Sequence, residues 1–293
     1  MKPNSTERKN GLALIIFMAT LFATTAGAQA QTPLCDGLTA DQQKTKQTLL
    51  AALHPYDGCD DTFDRCLAQT SPHPVVVRLA NDVCRHIKAG KNRAEIERLL
   101  TKRAQSMLPM GKPATFALNA GTLAGDSKAP VTLVVYACAR CPFCKVLVPI
   151  LYREVTQGAL KGKVKLYFQQ FPLKDHPGST EGGLAMLSAA GLGQFWPFLT
   201  KLYERYDAFC PKMLSQWAAE VGMNATDFDR VFADPRTREA LVAVKKEGIR
   251  NGVEATPALF IDGRRYVYEL QQSVIIDVLL EAYERSASSR KQP

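Results

Sequence analysis

Cys141 and Cys144 stand two residues apart, between a β-branched stretch and an apolar helical pattern. The stretch before them, Val131 to Tyr136, reads as a buried strand, and the run from Lys145 to Leu151 reads as a helix. A strand-to-helix turn places the first thiol at a helix N-terminus, where unpaired backbone N–H groups and the helix dipole favour thiolate over thiol. That arrangement suits a reactive redox pair better than a passive cross-link. Pro142 fits the first helical turn, where its missing N–H costs little. Phe143 offers an apolar surface beside the pair.

The same spacing occurs in metal sites, so the rest of the chain must decide. About a hundred residues on, Thr256-Pro257 leads into the apolar run Ala258 to Ile261, which ends in a turn at Asp262-Gly263. Taken with Cys141-Pro142-Phe143-Cys144-Lys145 and Pro149, this pattern resembles the thioredoxin superfamily, and the long intervening segment resembles its DsbA-like branch. The likeness covers roughly residues 113 to 285. It implies an α/β thioredoxin fold with a helical insertion over about 174–251, a cis bond at Thr256-Pro257, and a substrate groove to which Pro142, Phe143, Thr256 and Pro257 contribute. It implies catalysis by Cys141 as nucleophile and Cys144 as resolving thiol, with the redox-active disulfide as the only cofactor and no resident metal. It also implies partners: proteins with cysteines, and a membrane or periplasmic redox protein.

Two departures from the family pattern matter. Strongly oxidising DsbA proteins carry a histidine where Phe143 stands, which leans this pair towards reductase or isomerase work. Many relatives bury an acid in the strand before the motif, and Val131 to Tyr136 has none. Arg140, next to the motif, is a candidate for lowering the Cys141 pKa through its charge.

The N-terminus carries Lys2, Arg8 and Lys9, then an apolar run from Gly11 to about Ala26, then small residues that fit a cleavage site up to Ala30. Residues 1–30 read as a secretory signal peptide, an uncleaved anchor being the alternative. Export to a periplasm follows from that reading, and eight cysteines in an exported chain normally mean disulfides. The net charge of +9 is scattered, with no aromatic residues interleaved in a basic cluster, so nucleic acid is not an expected partner.

Residues 31–112 read as a small all-α unit with a linker, set before a thioredoxin-like part over 113–293. Thr39-x-x-Gln42 and Asn92-x-x-Glu95 have the capping-box form and open two of its four helices. Cys35, Cys59, Cys66 and Cys84 lie here, and two structural disulfides would staple a small core, with three pairings possible. The stretch from Leu79 to Arg103 is similar to the helical domain of CcmH-type thiol-reductases, which links the chain by analogy to cytochrome c maturation. Those proteins carry a Cys-x-x-Cys where this chain has Cys59 and Cys66 with six residues between them.

In the second part Phe116 to Leu118 is expected as an edge strand and Lys163 to Gln169 as the strand beside the central one. A final hairpin is expected from Val253 to Ile261 and Arg265 to Leu270, then a helix from Ser273 to Arg285 and a disordered tail. Cys138 makes a third thiol at equal spacing with Cys141 and Cys144, and is expected to pair with Cys210 or to exchange as a third thiol. The reading is an exported thiol–disulfide oxidoreductase. Its alternatives are a non-catalytic binding protein of the same fold, and a metal-handling protein using Cys138, Cys141 and Cys144.

Overall fold

The structure is a computed structural model describing residues 35–108 and 112–289. The expected signal peptide and the middle of the linker lie outside the described residues. Four helices come first: α1 (Ala40–Ala52), α2 (Phe63–Leu67), α3 (Pro74–Lys88) and α4 (Arg93–Met107). Both capping boxes form, at Thr39 with Gln42 and at Asn92 with Glu95. Each satisfies two amides that a helix start leaves bare, worth about 1 kcal/mol per cap. The apolar stripe of α3 buries Val76, Leu79, Val83 and Ile87 against Leu49, Leu50, Phe63 and Ile96, a core of the helices' own.

A five-stranded sheet follows, in the order β1 (Leu123–Ala124), β3 (Val164–Gln170), β2 (Val131–Ala137), β4 (Ala258–Ile261), β5 (Arg264–Arg265). β2 and β3 run parallel in full register from Val131 opposite Val164 to Ala137 opposite Gln170, and β4 lies antiparallel on the other side of β2. Alternation sends Val131, Leu133, Val135 and Ala137 to one face, under α5 (Pro142–Thr156) and α11 (Gln272–Ser289). Val134 and Tyr136 point to the other face, where they pack with Phe171 and Phe260. Between β3 and β4 come α6 (Ser179–Gly191), α7 (Phe195–Glu204), α8 (Leu214–Glu220), α9 (Ala225–Ala233) and α10 (Pro235–Arg250). Trp196, Phe198 and Trp217 are buried in this insertion as core residues.

Three expectations change. Phe116 to Leu118 is not a strand. The Ala117 N–H donates to the Glu247 carboxylate at 2.6 Å and the Ala117 carbonyl accepts from Gln169 Nε2, so side chains take the bonds a strand partner would have made. The edge strand is β1 instead. The last hairpin is shorter than expected, because after Arg265 the chain leaves the sheet to meet the helical region. There the Tyr268 hydroxyl donates to Asp82 at 2.8 Å and pairs with His86 at 2.6 Å. The C-terminal helix is longer than expected and continues to Ser289; residues 290–293 lie outside the described part.

The helical region is joined to the thioredoxin-like part by buried charge. Arg103 on α4, with 1 % of its side chain exposed, reaches Asp82 on α3 and both Asp277 and Glu281 on α11. Arg78 pairs with Asp277 and Glu284, Arg85 with Asp82 and Glu269, and Arg285 with Asp57. The Tyr56 hydroxyl adds a hydrogen bond to Glu281. Burial works against every charge here. The mutual attraction of close, hydrogen-bonded partners outweighs it, holding Asp82 below and Arg103 above their ordinary ranges.

Candidate active site

The redox motif occupies the point where β2 ends and α5 begins. Cys141 is the N-cap of α5, and Pro142 opens its first turn. The turn before it is fixed by the Cys141 N–H donating to the Cys138 carbonyl at 3.3 Å, which also accepts the Tyr203 hydroxyl at 3.2 Å. Gly182 on α6 lies so close to Ala139 that any Cβ there would collide with it, and this lets the insertion close over the turn.

Cys141 has only 1 % of its surface exposed. Its thiol donates to the Thr256 carbonyl at 3.3 Å. The Thr256–Pro257 bond is cis, as the family likeness implied. The Cys141 pKa is lowered to about 5. A hydrogen bond from the Cys144 thiol is the main cause, opposed by burial and reinforced by the Thr256 side chain and the amides of Cys144 and Phe143. The Thr256 hydroxyl is buried beside both thiols. Cys144, fully buried one turn into the helix, is pushed far up, first by burial and then by its bond to Cys141 and that neighbour's charge. The two thiols are therefore opposite in acidity.

Around the pair, Phe143 and Val146 are exposed, at 72 % and 59 %, on successive turns of α5. They form an apolar rim beside the nucleophile. Arg140 plays a different part from the one its charge suggested. Its guanidinium lies over the rings of Tyr206 and Phe209, at 4.3 and 4.6 Å, and donates to the Tyr206 carbonyl. The Tyr206 hydroxyl donates back to the Arg140 carbonyl at 2.9 Å, and Lys145 stacks on the same ring. Arg140 thus ties the insertion to the motif and is not among the main causes of the Cys141 shift.

The four cysteines of the helical region pair as Cys35–Cys84 and Cys59–Cys66. Cys138 and Cys210 are both free, so the expected bond between them is not formed. Cys138 is buried with its sulfur 3.4 Å from His176 Nδ1, and the Arg140 N–H donates to that sulfur at 3.4 Å. Among the described residues no three His, Cys, Asp or Glu side chains are arranged to hold a metal ion, and the equal spacing of Cys138, Cys141 and Cys144 does not make a ligand set.

Sequence reasoning missed three groups at this site. His176 and Tyr203 reach Cys138 across 38 and 65 residues of chain, and Tyr206 covers the motif from the insertion. A buried acid does lie near the central strand, but on the sheet face away from Cys144. Glu247 of α10 is buried there, accepting from the Tyr136 hydroxyl at 2.7 Å and from Gln169.

This architecture is that of DsbA-like thiol–disulfide oxidoreductases. Oxidised BdbD from Bacillus subtilis matches with a TM-score of 0.50 at 20% identity, covering 60% of this chain and 100% of that one. Wolbachia pipientis alpha-DsbA1 matches at 0.50 with 19% identity, covering 63% and 97%. Residues 118–277 match the family model described as Thioredoxin, and the chain belongs to the thioredoxin family. Curated relatives include the Na(+)/H(+) antiporter NhaA 3 of Salinispora tropica, 28% identical over 170 residues, and the NhaA of Herminiimonas arsenicoxydans, 27% identical over 174 residues. Each match takes in 58% of this chain, but only 25% and 26% of the relatives' length. Among the described residues no helix is long and apolar enough to cross a membrane.

Proposed function

We propose that the chain is an exported thiol–disulfide oxidoreductase that exchanges disulfides with protein cysteines through Cys141 and Cys144. The carrying observation is the placement of the pair: Cys141 is the N-cap of α5 against the cis Thr256–Pro257 step, with its pKa lowered to about 5, while Cys144 is fully buried one turn behind it and pushed up. Attack by Cys141 on a substrate disulfide gives a mixed disulfide, and Cys144 resolves it. Thr256 and Pro257 border the nucleophile, and Phe143 and Val146 provide an apolar rim for the substrate chain. A protein with exposed cysteines beside apolar residues suits that rim.

The same shift supports a reading of the direction of exchange. Stabilising the thiolate stabilises the reduced form, which makes the pair more oxidising. Thioredoxin has a nucleophile pKa of about 7 and a potential of about −270 mV, and DsbA about 3.5 and about −120 mV. A value of about 5 lies between theirs and supports a pair more oxidising than Phe143 alone suggested. Isomerase or disulfide-donor work in a periplasm fits that position. The helical region, docked on α11, is a rigid attachment to the catalytic part and carries two disulfides suited to the same compartment.

The test is equilibration of the purified protein with glutathione buffers, read by alkylation and mass spectrometry. A potential between those two limits supports the reading. A pair that does not exchange with glutathione removes it and leaves a binding protein of the same fold.

A further inference from the structure

Cys144 must lose its proton before it can resolve a mixed disulfide. Burial holds that proton on even when Cys141 is bonded to substrate and carries no charge. The residues that the central strand turns to the Cys144 side, Val131, Leu133, Val135 and Ala137, are apolar, and Glu247 lies on the opposite face of the sheet. Some other group has to take the proton.

We propose that Cys138 and His176 form the proton acceptor for Cys144. The Cys138 backbone N–H faces the Cys144 sulfur, which sets residue 138 against the resolving thiol. The Cys138 sulfur lies 3.4 Å from His176 Nδ1 and has no exposure of its own. His176 is half-buried and lines a cavity of about 370 Å³ between the loop after β3, α6 and α10, so its ring spans the distance from the buried thiol to water. Burial pushes the Cys138 thiol up, which keeps it protonated and able to hand its hydrogen to the imidazole. It is a relay rather than a third nucleophile. The charged groups lining the cavity around His176 are Lys174 of its own loop, Glu181 of α6 and Lys245 of α10. Asp175 adjoins it in sequence, and the Arg140 guanidinium is turned away onto Tyr206 and Phe209.

The step balances as follows. Cys144 passes its proton to the Cys138 sulfur as the Cys138 proton moves to His176 Nδ1. The Cys144 thiolate attacks the Cys141 sulfur, the Cys141–Cys144 bond forms and the Cys141–substrate bond breaks. The electron pair leaves on the substrate sulfur, which takes up a proton from His176 or water. Cys141 and Cys144 end as a disulfide and the substrate disulfide as two thiols.

This proposal rests on the thiol-exchange reading, and one experiment separates the two. Reduced protein is mixed with oxidised glutathione, quenched with acid at successive times, and the glutathionylated and internally oxidised forms are counted by mass spectrometry from pH 6 to 9. Cys138→Ala and His176→Gln are expected to leave glutathionylation unchanged and to slow resolution about tenfold or more at pH 7. The deficit shrinks towards pH 9, where hydroxide does the same work, and Cys138→Ser recovers most of the rate. Resolution unchanged in both variants, or slowed equally at every pH, would overturn the proposal, the latter by showing a packing role. Finding Cys138 in a disulfide throughout the wild-type cycle would also overturn it. Absence of glutathionylation in the wild type would remove the thiol-exchange reading along with it.

Discussion

Arg103 on α4 meets Glu281 on α11 at 2.9 Å, and neither side chain has more than 1 % of its surface exposed. An ion pair this dry contributes to stability only while its geometry is complete, because each charge has given up its water. Arg103 also completes Asp82 at 3.0 Å, so one guanidinium neutralises carboxylates from both parts of the chain. The helical region is therefore fixed in place rather than tethered.

Arg103→Met should be among the most damaging single changes. It removes the buried guanidinium from Asp82, which keeps Arg85, and from Glu281, which keeps as cation only Arg285 at 4.0 Å, and the expected loss is about 3–5 kcal/mol in urea unfolding. Arg78→Met, whose partners Asp277 and Glu284 are partly exposed, should cost clearly less. Equal losses would show that burial does not govern this interface.

The same interface makes stability fall on acidification. His86 is held below its ordinary value of 6.5, mainly by burial and further by Arg85, despite the nearby Asp82 and Glu269. A histidine with a depressed pKa binds fewer protons folded than unfolded, so stability is full above 6.5 and declines as pH drops below it. Asp82, also held down, adds a second loss below its ordinary 3.8. Urea midpoints should fall between pH 7 and pH 5.5, and His86→Gln should flatten that interval. A midpoint constant over that range in the wild type would contradict the account.

Cys141 should titrate near pH 5, followed by thiolate absorbance at 240 nm in the reduced protein. Cys144→Ala removes the largest stabilising hydrogen bond and should move the midpoint up more than Thr256→Val does. Cys144→Ser keeps a hydroxyl donor and should fall between the wild type and the alanine variant. If Cys144→Ala left the midpoint in place, the helix amides and not the partner thiol would be its cause.

Local chemistry made much of this legible beforehand. Thr39 with Gln42 and Asn92 with Glu95 announce helix starts within four residues, and Cys141-x-x-Cys144 between strand and helix defines the motif without any distant contact. What the chain hid depends on partners far away in sequence. Ala117 is kept out of the sheet by Glu247, 130 residues on, and Tyr268 is drawn off the last hairpin by Asp82 and His86 on α3. His176 looks like one half of a His-Pro break until the fold brings it under Cys138. Arg140 is adjacent to the nucleophile in sequence, yet the insertion supplies aromatic faces that claim its charge.

The Cys35–Cys84 bond closes a separation of 49 residues and ties the first described residue to the middle of α3. Loop-closure entropy gives such a bond a stabilisation of about 4 kcal/mol, whereas the separation of 7 at Cys59–Cys66 is worth less. Replacing Cys35 and Cys84 together by Ala should therefore lower the unfolding midpoint more than replacing Cys59 and Cys66. The reverse order would mean that the shorter bond holds native packing around Phe63 and not only a loop.

Phe143 should govern substrate affinity without touching the chemistry of the pair. Its ring is 72 % exposed, and the Cys141 shift draws on the Phe143 backbone amide rather than on the ring. Covering such a ring with an apolar peptide contributes about 1–3 kcal/mol. Phe143→Ala should raise KM for disulfide peptides with apolar neighbours by roughly fivefold to a hundredfold, while kcat and the Cys141 titration hold. Val146→Ala, one turn further along the same face, should act in the same direction but less, since it exposes less apolar surface to cover. A fall in kcat at constant KM would move Phe143 from docking to the exchange step itself, and a shifted Cys141 midpoint in Phe143→Ala would show that the ring screens the thiolate from water.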